Sequence, residues 1–416
     1  MADTNADTIA IVRHRPMGFA EFVIVIATIM SLNPLAMDMM LPALPNIGSA
    51  FHIDVANRLQ LVLSAFMIGF GIGQFAIGPL SDSFGRRPVL LGGMVLYSCA
   101  SVLAIAAPSF ETLLLARVLE GLGTAATRVI ATSIVRDCYA GRRMASVVSL
   151  AMMVFIAVPV VAPSFGQAVL VFAQWRGIFV VLTVYGLVAL IWTMTRLPET
   201  LPASERKPFA VREILDAFRK TLTDRQTLGY ALAASGTFGA LLGYVFSSQQ
   251  LFTGVYHLGR YFPLAFAAIA GSIAVSAFIN ARLVGRLGMR MISHSALIGS
   301  VGTAIVTFAA ARLDMLPLWL FILLSAGMMF ASGLMFANFT ALAMEPQRAN
   351  AGTASSLYGS ITTLLGMGAG AVVGQAFDGT AIPFATGFLV CSSAALAIVL
   401  VTEKGRLFHS HQPGTI

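Results

Sequence analysis

Long apolar segments recur along the whole chain and constrain its fold more than any other feature. Only 11% of the 416 residues are charged, against about 25% in a typical soluble domain, and the mean hydropathy is +0.84. About 20 consecutive apolar residues can cross a bilayer as one helix. The sequence therefore predicts an all-α polytopic membrane protein with twelve spans. In chain order these predicted spans are 19–44, 58–80, 88–107, 110–136, 143–171, 175–197, 227–252, 262–281, 291–311, 315–342, 350–377 and 381–402.

The longest connection between predicted spans is also the most charged and lies near the middle of the chain, at 198–226. We interpret it as a cytoplasmic linker that contains a short amphipathic helix and joins two six-helix bundles. The predicted organisation is an N-terminal tail at 1–18, a first bundle at 19–197, the linker, a second bundle at 227–402 and a C-terminal tail at 403–416.

A spaced pattern recurs in the two predicted halves. The connection after span 2 contains Gly78, Leu80, Gly85 and Arg87, and 203 residues later the connection after span 8 contains Ala281, Leu283, Gly288 and Arg290. Asp82 has no acidic counterpart, because Gly285 stands at that position. A repeat at half the chain length is what a duplicated six-helix unit predicts.

Positive charge is distributed unevenly between the two sides of the predicted spans. With the N-terminus placed inside, the inside segments hold 20 of the 26 lysines and arginines, and the outside loops hold four. Basic residues collect in the cytoplasmic loops of membrane proteins. This bias predicts that both termini are cytoplasmic. It also explains the net charge of +8 without any binding to nucleic acid.

Other functional classes find no support in the residue pattern. Cys99, Cys138 and Cys391 lie far apart, which predicts neither a disulfide framework nor a metal site. The sequence contains no GxxxxGK[ST] motif for nucleotide phosphates and no clear nucleophile–base cluster. We therefore expect neither an enzyme nor an ATP-driven pump, and no cofactor other than protons as the coupling ion.

One connection, GPLSDSFGRRPVLL at 78–91, is much more polar than the spans on either side of it. It places Asp82, Arg86 and Arg87 within six positions. The two arginines follow the bias of positive charge toward the inside, but that bias does not explain an aspartate. The stretch resembles the signature loop of the major facilitator superfamily, in which a glycine, a leucine, an aspartate, a glycine and a basic pair lie between helices 2 and 3.

Further motifs strengthen this resemblance over nearly the whole chain. RVLEGLGTAATR in span 4 resembles the family's arginine–x–x–glutamine–glycine motif, with Glu120 in place of the glutamine. VPVVAPSFGQ in span 5 resembles a degenerate antiporter motif, carried by Pro159, Pro163 and Gly166. MDMMLPALP, IVRDCY, LPET and NARLVGRLG look like the Bcr/CflA branch of drug efflux antiporters. The resemblance implies two pseudo-symmetric bundles around a central cavity, and proton-driven export of small amphipathic or cationic compounds across the bacterial inner membrane.

The resemblance also implies roles for the polar connection. In the family the aspartate, here Asp82, faces the start of helix 11, which in this chain lies near Gly352. The neighbouring arginine is expected to pair with an acid at the inner end of helix 4, and Asp137 fits. These residues would form a latch at a cytoplasmic gate. The alternative is that the connection only sets the topology. The predicted gate motif is Gly78, Asp82, Gly85, Arg86, Arg87 and Asp137.

Four charged residues fall within predicted spans: Asp38, Arg117, Glu120 and Arg128. Charges at membrane depth are costly and usually face a cavity or a partner. Arg117 and Arg128 are eleven positions apart, so at about 100° per residue they point within roughly 20° of each other. We interpret Asp38 as the main proton carrier, Arg117 as its counter-charge and Glu120 as a second candidate acid. The alternative is a static buried ion pair of Arg117 with Asp38 or with Glu120.

Polar, aromatic and flexible residues on the central spans are candidates for contact with a substrate. The residues that we single out are Asn33, Met37, Arg128, Tyr244 and Asn338. Methionine gives an adaptable apolar surface. Asparagine and methionine also serve helix packing in membranes, so packing is the alternative role for these positions.

Together these observations predict a drug:proton antiporter that works by alternating access, as a monomer in the lipid bilayer with a small drug-like substrate. Two alternatives stay open. The same fold supports a proton-coupled uptake symporter for a nutrient or metabolite, since fold does not fix function. A non-transporting membrane sensor is the alternative from another class.

Overall fold

The computed structural model describes residues 17–53, 55–139, 141–206, 211–347 and 351–408. Most of the two predicted tails lies outside these ranges. The helices are α1 Phe19–Asp38, α2 Leu44–Ala50, α3 Leu61–Phe84, α4 Arg86–Ile105, α5 Phe110–Cys138, α6 Gly141–Phe172, α7 Arg176–Arg196, α8 Val211–Thr223, α9 Arg225–Gln249, α10 Phe262–Leu287, α11 Met289–Arg312, α12 Leu318–Met344, α13 Ala351–Gln375 and α14 Ile382–Thr402.

The predicted all-α membrane fold is confirmed. Within the described residues, 11 helical segments are long and apolar enough to span a bilayer. The remaining predicted span corresponds to α6, in which Ala157–Phe172 is an apolar helical stretch shorter than these spans. The linker contains the amphipathic helix α8, whose charged side chains Arg212, Asp216, Arg219 and Lys220 are exposed. α8 contacts α9 and α13.

Each half packs mainly within itself. In the first half α5 packs on α3 and α4, α4 packs on α7, and α1 packs on α6. In the second half α9 packs on α12, α13 and α14, while α12 packs on α10 and α11. The two halves meet where α3 contacts α13 and where α6 contacts α10. These contacts place α1, α3, α9 and α13 around the region that carries the predicted site residues.

The polar connection at 78–91 is almost entirely helical, which corrects the expectation that it forms a loop. α3 continues to Phe84 and α4 begins at Arg86, so Gly85 is the only residue between them. Its φ is 102°, a backbone conformation that strongly favours glycine. Residues 81–84 contain no helix breaker, and therefore α3 runs on past the apolar segment. Asp82 consequently lies on the last turn of α3.

The same junction recurs in the second half. α10 ends at Leu287, α11 begins at Met289, and Gly288 between them has a φ of 81°. The 203-residue offset between Gly85 and Gly288 is therefore a repeat of backbone geometry as well as of sequence. We call the end of the molecule that carries these two glycines the junction end, and the opposite end the far end.

α3 and α13 run antiparallel and form a seam between the two halves. Toward the junction end Gly78 lies against Ser356, so that a Cβ at position 78 has no room. Near the middle the amide of Gln74 donates a buried hydrogen bond of 2.9 Å to the hydroxyl of Thr363. At the far end Gly374 lies against the side chain of Gln60. The seam therefore holds the halves together along the full length of both helices.

Candidate functional site

Arg117 and Glu120 form a sealed ion pair within α5. Arg117 Nη1 lies 2.6 Å from Glu120 Oε2, and both side chains are fully buried. Arg117 also donates hydrogen bonds of 3.2 Å to the backbone carbonyls of Val62 on α3 and Ala36 on α1. Its guanidinium lies 4.5 Å from the ring centre of Phe66. Arg117 thus ties three helices of the first half together.

The second oxygen of Glu120 is occupied as well. Ser101 on α4 donates a short hydrogen bond to Glu120 Oε1. The arginine and the serine together therefore leave neither carboxylate oxygen of Glu120 without a hydrogen-bond partner. Desolvation of a buried charge is offset only when its hydrogen-bonding capacity is filled in this way.

Asp38 is the last residue of α1 and is only 5% exposed to solvent. Among the described residues no salt bridge to Asp38 is found. The ion pair observed is thus the alternative pairing, Arg117 with Glu120, and a role of Arg117 as counter-charge to Asp38 stays a prediction. The reason is local: Glu120 stands three positions from Arg117 on the same helix, so it reaches the guanidinium first. Arg117 instead contacts α1 through the carbonyl of Ala36, two residues before Asp38.

Two buried polar side chains, one on each half, have no hydrogen-bond partner among the described residues. Tyr244 on α9 lies within electrostatic reach of Asp38, is 1% exposed, and has a hydroxyl without a hydrogen-bond partner. Its ring stacks on Phe266 with the ring centres 5.4 Å apart. On α1 itself, the amide nitrogen of Asn33 is also buried without a partner. Unsatisfied buried polar atoms are uncommon and call for an explanation.

The remaining predicted substrate residues differ in their surroundings. Met37 is buried beside Asp38, at 6% exposure, and lies on the same face of α1 as Asn33, four residues away. Arg128 is half-buried on α5. Asn338 on α12 is 2% exposed, and its amide donates to Asn280 on α10 and to its own helix, each over 2.7 Å. Asn338 therefore joins two helices of the second half, as the packing alternative expected.

The residues of the predicted antiporter motif lie on α6, beside Asp38. Pro159 and Pro163 stand inside the helix. Gly166 is buried, and its Cα faces the backbone carbonyl of Met39, so that a Cβ there has no room. The close approach that this glycine permits brings α6 directly against the residue that follows Asp38. The motif thus fixes the position of the end of α1.

The predicted gate motif comes together at the junction end. Arg86 Nη1 lies 2.5 Å from Asp82 Oδ1, and Arg86 Nε lies 3.2 Å from Asp137 Oδ2 near the end of α5. Arg87 donates a hydrogen bond of 2.6 Å to the carbonyl of Met194 on α7. Arg86 therefore connects α3, α4 and α5. The side chains of residues 351–353 are not described, so the expected contact of Asp82 with the start of α13 near Gly352 stays a prediction.

Sequence reasoning missed Glu199, which follows α7. Its carboxylate accepts hydrogen bonds from the backbone amides of Arg86, over 2.9 Å, and Arg87, over 3.3 Å. A helix N-terminus has unpaired amides and a partial positive charge, so a carboxylate is a favourable cap there. Thr200 beside it donates to Asp137 over 3.1 Å. Glu199 belongs to the LPET stretch, but the sequence alone does not show that this glutamate lies at the start of α4.

The second half contains a related arrangement that the sequence reasoning also missed. Arg290, at the start of α11, lies 2.9 Å from Glu403 just after α14. The hydroxyl of Tyr230 donates to Glu403 over 2.6 Å and contacts His294 over 3.0 Å. Burial alone would raise the pKa of Glu403, but the hydrogen bonds from Tyr230 and Arg290 outweigh it and hold this pKa below its usual range. In both halves a carboxylate that follows the last helix of the half therefore binds the start of the helix after the glycine junction, α4 or α11.

Two similar helical halves that face each other across a seam, with a buried carboxyl between them and polar junctions at one end, define a membrane transport protein. The chain belongs to the Major Facilitator Superfamily, whose family model matches residues 26–371.

Known proteins similar to the chain agree with this assignment. It is 31% identical to the uncharacterized MFS-type transporter YdgK of Bacillus subtilis, over 94% of this chain and 98% of that one. It is 28% identical to the bicyclomycin resistance protein homolog of Haemophilus influenzae, over 92% and 96% of the two chains. The xylose transporter XylE from E. coli, solved in a partially occluded inward open conformation, shares the fold with a TM-score of 0.70 at 12% identity, over 93% of this chain and 97% of that one.

Proposed function

We propose that this protein is a proton-coupled exporter that exchanges protons for small amphipathic or cationic drug-like compounds across the bacterial inner membrane. The observation that carries the proposal is the contrast between two buried acids. Glu120 is neutralised by Arg117 at 2.6 Å, whereas Asp38 is buried without a salt bridge among the described residues. An isolated charge at membrane depth is costly. Asp38 is therefore the acid best placed to hold either a proton or a cationic substrate.

Competition for Asp38 supplies the coupling. When the site opens to the proton-rich side, a proton neutralises the carboxyl group. When it opens to the other side, a cationic substrate displaces the proton, because one carboxylate balances only one positive charge at a time. Asn33 and Tyr244, whose buried polar atoms lack partners among the described residues, offer hydrogen bonds to the substrate. Met37 supplies an adaptable apolar surface beside them.

The other predicted roles follow from position. We propose that the junction end faces the cytoplasm, so that both termini and the linker with α8 are cytoplasmic. Asp82 and Arg86 act as a latch there, and Arg128 lines the inner part of the pathway. The name of the relative from Haemophilus influenzae supports a drug-like substrate and a place in the Bcr/CflA branch. Transport requires only one chain in this proposal, because the described part of the chain already contains both halves.

Proteoliposomes test the proposal directly. Purified protein is reconstituted with a pH gradient of either sign, and uptake of bicyclomycin and of ethidium, a fluorescent amphipathic cation, is followed. Accumulation driven by an acidic interior is expected. Accumulation driven only by an acidic exterior would establish the symporter instead, and transport independent of either gradient would refute proton coupling.

Two variants distinguish the role of Asp38 in proton coupling from a general effect of replacing an aspartate. Asp38→Asn is expected to abolish gradient-driven accumulation while it still permits downhill movement of the drug, because the asparagine cannot carry a proton. Asp314→Asn is the matched control, since Asp314 is an exposed aspartate that follows α11, and it is expected to transport as wild type. Uphill transport by Asp38→Asn would overturn the assignment of the proton carrier.

A further inference from the structure

A chain of side-chain amides joins the two halves at the far end. The side-chain amide of Gln60, just before α3, donates a hydrogen bond of 2.5 Å to the side-chain oxygen of Gln250 in the second half. Gln250 in turn donates to the side-chain oxygen of Asn57 over 2.7 Å. Asn57 then donates to the backbone carbonyls of Gln375 and Phe377, over 2.8 and 3.0 Å. Each step of this chain crosses from one half to the other.

A further bond runs in the opposite direction. The side chain of Gln375 donates to the backbone carbonyl of Asn57 over 2.7 Å. Gln60 and Gln250 are 1% and 6% exposed, so water does not compete freely for their hydrogen bonds. We call Asn57, Gln60, Gln250 and Gln375 the amide clasp.

We infer that the amide clasp is the contact that holds the far end closed during the transport cycle, and that Gln60 and Gln250 set the balance between far-end-closed and far-end-open conformations. The inference goes beyond the proposed function, because it requires neither proton coupling nor a direction of transport. It rests on the position of the clasp, opposite to the gate motif, and on its five hydrogen bonds between the halves.

The chemistry of the clasp suits a contact that must break in every cycle. An amide hydrogen bond exchanges for bonds to water with little net change in free energy. A buried ion pair in the same place would leave two desolvated charges when it opened, at much greater cost. The hydrogen bonds of the clasp therefore stabilise the closed far end, yet their loss on opening costs little free energy.

The backbone beside Gln250 supports the same role. α9 ends at Gln249, and a π-helical turn runs from Gln250 to Val255. A π-helical turn inside or beside an α-helix is wider than the helix and frequently marks a functional site. Gln250 is thus the first residue of an irregular segment, where α9 can change its course when the halves separate.

Distances between spin labels measure the proposed equilibrium. One label is placed on each half at the far end, at exposed positions, with Ser49→Cys and Gly254→Cys in a background in which the three native cysteines are alanine. Gln60→Ala and Gln250→Ala are each expected to increase the ratio of the long-distance to the short-distance population by about fivefold for each hydrogen bond lost. In the double variant, this ratio is expected to rise by less than the product of the two single-variant increases, since both substitutions remove the bond between Gln60 and Gln250.

Gln249→Ala is the matched control. Within the described part of the chain, its side-chain amide donates only to Thr253 on the following turn, over 2.9 Å, so its loss is expected to leave the distances unchanged. Gly374→Ala disturbs the clasp differently, by adding a Cβ against the side chain of Gln60, and is expected to lengthen the distances without removing any amide. Monodisperse elution of each variant confirms folding. If Gln60→Ala, Gln250→Ala and Gly374→Ala all keep the distance distribution of Gln249→Ala, the clasp does not close the far end.

Discussion

At the scale of single residues, the first half contains two buried acids in opposite situations. Glu120 has Arg117 and Ser101 on its two oxygens, and the arginine is further held by two backbone carbonyls. Asp38 is buried without a salt bridge among the described residues. A carboxylate that is paired on both oxygens is stabilised in its charged form and exchanges a proton less readily. An isolated buried carboxyl group lacks that stabilisation. This difference is the basis on which we propose Asp38, and not Glu120, as the proton carrier.

The ion pair of Arg117 and Glu120 makes a prediction about stability. Removal of one partner leaves an uncompensated buried charge, which costs about 3–5 kcal/mol. Arg117→Leu and Glu120→Leu are therefore each expected to lower the thermal unfolding temperature strongly, as measured on detergent-purified protein. The double variant is expected to recover most of the loss, because no charge is left buried. A double variant less stable than both single variants would show that the pair does more than neutralise its own charges.

At the scale of elements, the helix junctions depend on single glycines. Gly85 and Gly288 have φ values of 102° and 81°, and a side chain in such a conformation costs about 1–3 kcal/mol. Gly85→Ala and Gly288→Ala are expected to destabilise the protein by amounts in this range. Gly85→Ala should have the larger effect, because its Cβ would also overlap the carboxylate of Glu199.

Gly92→Ala is the control for both glycines. Gly92 lies within α4 with open space where a Cβ would stand, and alanine is favoured over glycine inside a helix. This variant is expected to be as stable as wild type or slightly more stable. Equal unfolding temperatures for Gly85→Ala and Gly92→Ala would contradict the view that the junction geometry requires glycine.

Loss of one acid from the predicted gate motif should change both the transport rate and the balance of conformations. Arg86 bonds both Asp82 on α3 and Asp137 on α5, so loss of one acid weakens the junction without dismantling it. These contacts lie within the first half, so an effect on opening requires the predicted contact of Asp82 with the start of α13. With that contact, Asp82→Asn is expected to slow transport, to favour the conformation open at the junction end, and to leave drug binding intact. Spin labels at the junction end and a binding assay with ethidium measure these effects. Unchanged distances together with an unchanged rate would restrict Asp82 to a role in topology.

At the scale of the whole molecule, the sequence predicts the pattern of spans but not the contacts between them. Apolar runs placed most helix boundaries within a few residues, since a span must be apolar wherever it meets lipid. Asp38 and Arg117 lie at matching depths, yet periodicity could not reveal that Glu120 takes the arginine. Gln60 and Gln250 are 190 positions apart in the chain, and no local pattern marks them. Long-range polar contacts depend on how the helices are arranged, which only the structure provides.

The last prediction concerns both ends of the molecule at once. In our proposals the latch at the junction end and the amide clasp at the far end act in opposite directions on one equilibrium between two conformations, so their effects on its free energy should subtract. Effects of sites far apart usually combine additively. Asp82→Asn favours opening at the junction end and Gln60→Ala favours opening at the far end. The double variant is therefore expected to return toward the wild-type distribution at both ends, although each contact is lost.

Spin-label distances measured at both ends of the four proteins, wild type, each single variant and the double variant, complete the test. In alternating access the two ends cannot be open together, so a long distance at one end should accompany a short distance at the other. The double variant should still bind and transport ethidium, because neither substitution touches Asp38. If the double variant instead shows long distances at both ends, the two contacts hold the halves together independently, and the seam of α3 and α13 does not couple the two ends.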